Sequence, residues 1–164
     1  MENKKETNTK RDRLVALFKK FELEREDVFT MQMGGRKIPI VTRTGVEKIM
    51  SKESIKIDYE VVKCERDFAA IKCIAQLKKG DKLITIPTFA TAHPKNCKST
   101  YYLEMAEKRA KARAVLQITE FYSMGVYAEV EADEFKQVPP PTDKDEPKND
   151  LGNIEQAFND YNNI

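Results

Sequence analysis

The chain has 164 residues, enough for one domain and a tail but too few for two domains with separate cores. Charged residues make up 34% of it, above the usual quarter, so we expect a modest core beneath a highly charged surface. The sequence contains no long apolar run, and its first residues are polar and charged, which disfavours a membrane protein and a secreted one. Three cysteines without a CxxC motif favour reduced thiols and a cytoplasmic protein.

The net charge of +2 conceals a strong asymmetry along the chain. Residues 129–164 contain ten acidic side chains and three lysines, a charge of −7, which leaves +9 on residues 1–128. A basic body with an acidic tail is typical of a protein that meets a polyanion, because positive potential attracts phosphate and the tail competes for the same surface. A solvated, lysine-rich surface with a solubilising tail is the alternative.

The first predicted elements are a helix and a hairpin. Apolar residues recur at helical spacing over residues 10–24, at Leu14, Leu17, Phe18 and Phe21. Two apolar runs, Val28–Met33 and Ile38–Thr42, flank a pair of glycines, which allow the tight turn of a hairpin. Pro39 cannot donate a backbone hydrogen bond, so we expect its strand to lie at a sheet edge or a bulge.

A short helix and three strands are predicted next. Thr44 and Glu47 have the spacing of a capping box, which predicts a helix over residues 45–52. Three strands, 55–62, 68–77 and 82–88, are then separated by charged turns, as in an antiparallel meander. In the first of these strands the residues Ile55, Ile57, Tyr59 and Val61 alternate with charged residues, which predicts one buried face.

The longest predicted helix covers residues 100–122, after a loop over Phe89–Lys98. One apolar stripe contains Leu103, Ala106, Ala110, Ala114 and Gln117, and a second contains Met105, Ala112 and Leu116. Two stripes indicate contact on two sides, with the sheet of the same chain and with another body, for which a neighbouring subunit is a candidate. The predicted fold is therefore α+β, a twisted antiparallel sheet with one long helix packed across it.

Arg109 and Arg113 lie one turn apart between these two stripes. A charge in such a position is costly unless it has an anionic partner. A phosphate, or a bridge to another subunit, is one candidate for that partner, and an intramolecular salt bridge is the other.

Residues that would indicate an enzyme or a metal site are nearly absent from the sequence. His93 has no second His, Cys or acidic residue at metal-ligand spacing, and there is no Walker-type glycine loop and no GxSxG motif. Cys73 falls within a predicted strand and Cys64 lies at the end of another, and for both a buried and inert thiol is expected. We therefore expect no enzymatic activity, no metal and no cofactor.

The region around the start of the long helix is both basic and aromatic. Between residues 95 and 113 six basic side chains accompany two acidic ones and the adjacent pair Tyr101 and Tyr102. Cations neutralise phosphates and aromatic faces stack on unpaired bases, so this combination suits single-stranded nucleic acid. Tyrosines at the start of a helix also commonly belong to a protein core.

The sequence from His93 to Phe135 resembles the end of the annealing domain in phage and prophage recombinases of the Rad-fifty-two-like superfamily. Those proteins carry a loop of the form SPKN, a helix of the form MAEKRAxxRAxL and then GVYxEEEADxF. The matching residues here are Pro94, Lys95, Asn96, Met105 to Ala110, Arg113, Ala114, Leu116, Gly125 to Tyr127 and Glu131 to Phe135. The chain departs from the pattern at His93, where a small residue is common, and in lacking a second domain.

This resemblance implies a βββα core that assembles into a ring or filament, binds single-stranded DNA and anneals complementary strands without a cofactor. The residues expected to contact DNA are Lys95, Lys98, Tyr101, Tyr102, Lys108, Arg109, Lys111 and Arg113, with Arg43 and Lys48 as secondary candidates. A passive single-strand coat protein and a protein-interaction adaptor are the alternatives.

The C-terminal part of the chain differs in composition from the rest. Three consecutive prolines and dense charge predict a disordered linker over residues 138–150. Leu151, Ile154, Phe158 and Tyr161 then follow at helical spacing, so this end either folds as a small helix on a partner or is a frayed end with no role. For such a partner, the resemblance implies a recombination nuclease or a host protein. We therefore predict a DNA-binding domain over residues 1–137 and an acidic tail over residues 138–164.

Overall fold

The computed structural model describes residues 3–33 and 35–135 and has the predicted α+β fold. Its elements in chain order are α1 (Asn3–Phe21), β1 (Val28–Met33), β2 (Arg36–Val41), α2 (Arg43–Lys52), β3 (Lys56–Glu65), β4 (Phe68–Lys79), β5 (Lys82–Ala92), α3 (Tyr102–Ile118), a 3-10 turn (Tyr122–Met124), β6 (Tyr127–Ala128) and α4 (Glu129–Phe135). The predicted linker and tail, residues 138–164, lie outside the described residues.

Strands β3, β4 and β5 form the main sheet, an antiparallel meander in that order. Along β4 buried and half-buried residues alternate, and the buried set is Ala69, Ile71, Cys73, Ala75 and Leu77. Helix α3 packs against β4 and β5 on this buried face. The sequence therefore predicted both the meander and the helix that covers it.

A second, small sheet has the order β1-β2-β6. Strands β1 and β2 form the predicted hairpin, and β6 pairs in parallel with Ile40 and Val41 of β2. The expectation that Pro39 marks an edge strand or a bulge was wrong, because β2 is the middle strand and its register with β1 is regular. Strand β6 pairs with β2 only from Ile40 onward, so the missing amide hydrogen of Pro39 removes no hydrogen bond between these two strands.

Helix α3 is covered on its other side by the same chain. Helix α2, strand β6 and helix α4 contact it there, so the second apolar stripe does not need a neighbouring subunit to cover it. Gln117, assigned to the first stripe, is exposed. From α1, the predicted residues Phe18 and Phe21 pack against Phe121, with ring centroids 6.2 and 5.5 Å apart. The two halves of the chain thus share one hydrophobic core.

The start of α2 differs from the predicted capping box. Thr42 is the N-cap, and its hydroxyl accepts a hydrogen bond from the amide of Gly45 at 3.2 Å. A Cβ on Gly45 would lie 2.7 Å from the carbonyl oxygen of Asp27, so the close packing of this turn requires glycine. Glu47 is therefore not a capping residue; its carboxylate binds Lys111 instead.

Three further predictions were wrong in detail. Strand β3 is an edge strand and α3 packs mainly on β4 and β5, so Val61, expected in a buried face, is 55% exposed. Strand β5 continues to Ala92, so Phe89–Ala92 belongs to the sheet rather than to a loop. Helix α3 ends at Ile118 because Glu120 has a left-handed conformation, with φ of 71°, that stops the helix.

The cysteines differ in their environments. Cys73 and Cys97 are buried, and burial raises the pKa of the Cys73 thiol to about 11. Cys64 is exposed on the edge strand, against the expectation that it is buried. Within residues 3–33 and 35–135, no helix has the length and apolar character needed to cross a membrane.

We predict that at pH 8 a thiol reagent modifies Cys64 rapidly in the native protein. Cys73 should react only on unfolding, because its thiol is buried and its pKa of about 11 keeps it protonated at that pH. Mass spectrometry of the labelled protein, with and without denaturant, measures both rates. Equal labelling of Cys64 and Cys73 under native conditions would contradict the burial of β4.

Candidate nucleic-acid interface

The side chains of Arg109 and Arg113 bind the backbone of the edge strand β5. Arg113 donates from Nη1 to the carbonyl oxygen of Phe89 at 2.9 Å, and Arg109 donates from Nη1 to that of Thr91 at 3.0 Å. Residues one turn apart on a helix thus meet carbonyls two residues apart on a strand. Backbone acceptors at a sheet edge need partners, and these arginines supply them.

Arg109 also fixes the loop that joins β5 to α3, residues 93–101. Its Nη2 donates to the carbonyl oxygen of Asn96 at 2.6 Å, and only 1% of the residue is exposed. Of the alternatives for Arg109, an intramolecular role is therefore the one observed, although its partners are carbonyls rather than a carboxylate. A phosphate would not reach this guanidinium in this conformation.

The loop has further internal bonds that define its shape. The side-chain oxygen of Asn96 accepts from the amide of His93 at 2.9 Å, and its amide group donates to the carbonyl of Thr91 at 3.3 Å. The ring of His93 stacks on Phe68 of β4, with centroids 6.2 Å apart and planes 10° apart. Cys97, which belongs to the loop, is buried. The loop is therefore tied to the sheet at several points.

Two lysines and one aromatic ring of this loop are exposed to solvent. Lys95 and Lys98 are exposed, and Tyr101 is 69% exposed at the start of α3. Tyr102 is different, because it is half-buried and packs against the core. Three of the predicted DNA-contacting residues are thus brought together on one loop, and Tyr102 serves mainly as a packing residue.

Arg113 forms an intramolecular salt bridge, which is one of the two alternatives that the sequence analysis offered for it. Its Nε donates to the buried carboxylate of Glu131 in α4. The hydroxyl of Tyr122 lies 3.5 Å from the same carboxylate, and burial together with the Glu131 charge raises the pKa of Tyr122 to about 12. Arg113 therefore joins β5, α3 and α4, and its half-buried guanidinium is engaged by intramolecular partners.

Arg43, Lys108 and Lys111 line a separate cleft between α2, α3 and the start of α4, with a volume of about 120 Å³. Glu47, Glu107 and Glu129 line the same cleft, so its cations and carboxylates balance. The ammonium of Lys111 lies 2.5 Å from the carboxylate of Glu47. An incoming phosphate would meet these carboxylates as well as the cations, which makes the cleft a poorer anion site than the loop.

Lys48 lies neither on the loop of residues 93–101 nor in the cleft. Its ammonium binds Asp27 at 2.6 Å, and this hydrogen bond raises the pKa of Lys48. Asp27 is buried and also accepts from the amide of Glu24, so the pair closes the turn between α1 and β1. The structure thus divides the ten predicted residues into a loop group, a cleft group, the packing residue Tyr102 and three residues with intramolecular partners.

Sequence reasoning missed the groups that bind the arginines. The acceptors are backbone carbonyls, which carry no residue signature, and Glu131, which is 18 residues from Arg113 and outside the spacing of any local motif. It also missed the role of Asn96, although a side-chain amide in a short polar loop is a recognised signal of a turn.

The comparisons with known proteins add no relative. No protein-family model, no curated protein and no solved structure matches this chain. Among residues 3–33 and 35–135, no group of three or more His, Cys, Asp or Glu side chains could hold a metal ion.

We predict that Arg109→Ala lowers the free energy of unfolding by about 3 kcal/mol, because it removes a buried side chain and leaves two part-buried carbonyls without their charged donor. The neighbouring variant Lys108→Ala, on the exposed side of the same helix, should be neutral within about 0.5 kcal/mol. Urea denaturation followed by circular dichroism measures both. Equal stability of the two variants would contradict the anchoring role of Arg109.

Proposed function

We propose that this protein binds single-stranded DNA through the loop of residues 93–101 and anneals complementary strands without a cofactor. The observation that carries the proposal is the loop itself, which presents Lys95, Lys98 and Tyr101 to solvent while Arg109 and Asn96 hold it in place. Binding costs less when the contact residues are already ordered, because less conformational entropy has to be given up.

The chemistry of annealing requires only charge neutralisation and access to the bases. Two DNA strands repel each other through their phosphates, and lysine ammonium groups reduce that repulsion along the bound strand. Phosphate contacts carry no base identity, so binding should be nearly independent of sequence. Base edges that face away from the loop then stay free to pair with a second strand.

The charge distribution favours the same function. The +9 on residues 1–128 attracts a polyanion over a distance, and the loop provides a contact site within that field. Lys108 lines the separate cleft beside Glu107 and Glu129, and it enters this proposal only through its contribution to that field. Arg109 and Arg113 enter it as positioning residues, which differs from the direct contact that the sequence resemblance implies.

Assembly into a ring or filament is part of the proposal. Strand β3 is a ten-residue edge strand, and Val61 and Val62 are both more than half exposed on it. Such an edge is suited to pairing with another chain. We place the assembly in the cytoplasm of a bacterial host, with a recombination nuclease or host protein as the candidate partner of residues 138–164.

We predict that Lys95→Ala with Lys98→Ala weakens binding to a single-stranded oligonucleotide and leaves the melting temperature unchanged, because the loop lysines contribute little to the core. Since the double variant neutralises two fewer phosphates, the slope of log affinity against log salt should become shallower by about 1.4. The matched control is Lys10→Ala with Lys19→Ala, two exposed lysines on α1. A slope that changes equally in both double variants would exclude the loop as the site.

A strand-annealing assay with two complementary oligonucleotides separates the proposed activity from its alternatives. The protein should accelerate duplex formation, and the acceleration should fall with rising salt as phosphate contacts are screened. A passive coat protein would bind and slow the pairing, and an adaptor would neither bind nor alter the rate. Either of these two results would refute annealing.

A further inference from the structure

The main sheet has a second face, on the side away from α3. We call it the open face and define it by Phe68, Ala70, Lys72, Ile74, Gln76 and Lys78 of β4 and Leu83, Thr85, Pro87, Phe89 and Thr91 of β5. These residues alternate with the buried ones along each strand. Two large apolar side chains, Leu83 at 63% and Phe89 at 57% exposure, lie at opposite ends of β5 on this face.

Aromatic and basic side chains concentrate at the Phe89 end of the open face. Phe89 is directly opposite Lys72 in the register of β4 and β5, and the ammonium of Lys72 binds Glu60 of β3 at 3.1 Å. The stacked rings of Phe68 and His93 follow at the same end, and the ammonium of Lys63 lies 5.8 Å from the Phe68 ring centroid. The Leu83 end pairs with Lys78 and has no aromatic residue among those that define the face.

This aromatic end is continuous with the basic loop. His93, whose ring stacks on Phe68, is the first residue of the loop, and its Nδ1 accepts from the amide of Lys95 at 3.3 Å. The carbonyl of Phe89 is itself held by Arg113. A strand bound at the loop would therefore lie next to the half-buried rings of Phe68 and His93 and, beyond them, the exposed ring of Phe89.

We propose that the open face beside the loop receives bases of the bound strand, with Phe89 as the stacking residue. This rests on the proposed function and adds to it a base-contacting surface on the sheet. Sheets that bind single strands stack bases on exposed aromatic side chains, and every base has a face suited to such stacking. Lys72 beside Phe89 is paired with the carboxylate of Glu60 at 3.1 Å, so the ring of Phe89 and not this cation provides the proposed contact.

Base stacking on Phe89 is compatible with annealing. A stacked base is held by its face, and its Watson–Crick edge stays available to a second strand. Because stacking does not depend on hydrogen-bond readout, the surface tolerates any base. A surface that held base edges instead would block pairing.

The absence of tryptophan from the sequence allows a direct test. Phe89→Trp introduces a single tryptophan at the proposed site, which can be excited selectively over the six tyrosines, and Leu83→Trp introduces one at the other end of the same strand and face. We expect a single-stranded oligonucleotide to quench the fluorescence of Phe89→Trp and to leave that of Leu83→Trp unchanged. An abasic oligonucleotide of equal length, which offers phosphates without bases, should quench neither.

The affinity of Phe89→Ala provides a second readout. It should fall roughly fivefold to hundredfold for the oligonucleotide with no change in salt slope, because the substitution removes a base contact and leaves the phosphate contacts in place. Leu83→Ala should bind as the wild type does. Thermal melting of both variants checks that the sheet is intact.

The possible results separate this inference from the function on which it rests. If the wild type binds DNA and neither the Phe89→Trp fluorescence nor the Phe89→Ala affinity responds, the base surface is refuted and the loop site stands. If the wild type does not bind single strands at all, both proposals fail. If the fluorescence of Phe89→Trp changes with protein concentration alone and not with DNA, the open face is an interface between copies and the inference is overturned.

Discussion

The hydrogen bonds from Arg109 and Arg113 to the carbonyls of β5 connect the parts of this molecule that matter for its function. They join α3 to the free edge of the main sheet, and through Asn96 and Glu131 they extend to the loop and to α4. A hydrocarbon side chain of similar size in place of either guanidinium would remove the donor that these backbone acceptors have within the protein. The position of the loop therefore depends on the position of α3.

The close approach of α3 to the sheet is a consequence of its alanines. Ala106, Ala110 and Ala114 are fully buried and leave room for the strands to come near the helix axis. At this distance the hydroxyl of Thr88 donates to the carbonyl oxygen of Ala110 at 2.7 Å. The alanines thus set the distance between the helix and the sheet. The arginines beside them bind the edge of β5.

The sequence predicted the features that local patterns determine. Alternation along β4 and the glycine pair between β1 and β2 indicated the meander and the hairpin, and helical spacing in α1 identified Phe18 and Phe21 as core residues. It failed where a residue's environment depends on distant parts of the chain. Val61 is exposed because β3 is an edge strand, which no pattern within β3 reveals.

The same distinction between local patterns and long-range contacts applies to the predicted DNA-contacting residues. Lys95, Lys98 and Tyr101 are close in sequence and lie on one loop, so local reasoning sufficed to group them. Arg113 and Glu131 meet only through the tertiary fold, and Lys111 is paired with Glu47 from a helix 64 residues away. Charge counted along the sequence therefore overestimated the number of cations that are free to bind phosphate.

In our proposal the loop of residues 93–101 is the surface that contacts DNA. Lysine footprinting tests it most directly, since an amine-reactive reagent can be applied to the full chain with and without a single-stranded oligonucleotide and the modified lysines identified by mass spectrometry. We expect DNA to protect Lys95 and Lys98 while Lys19 on α1 stays reactive. Protection of Lys19 with continued reactivity of both loop lysines would contradict the proposal.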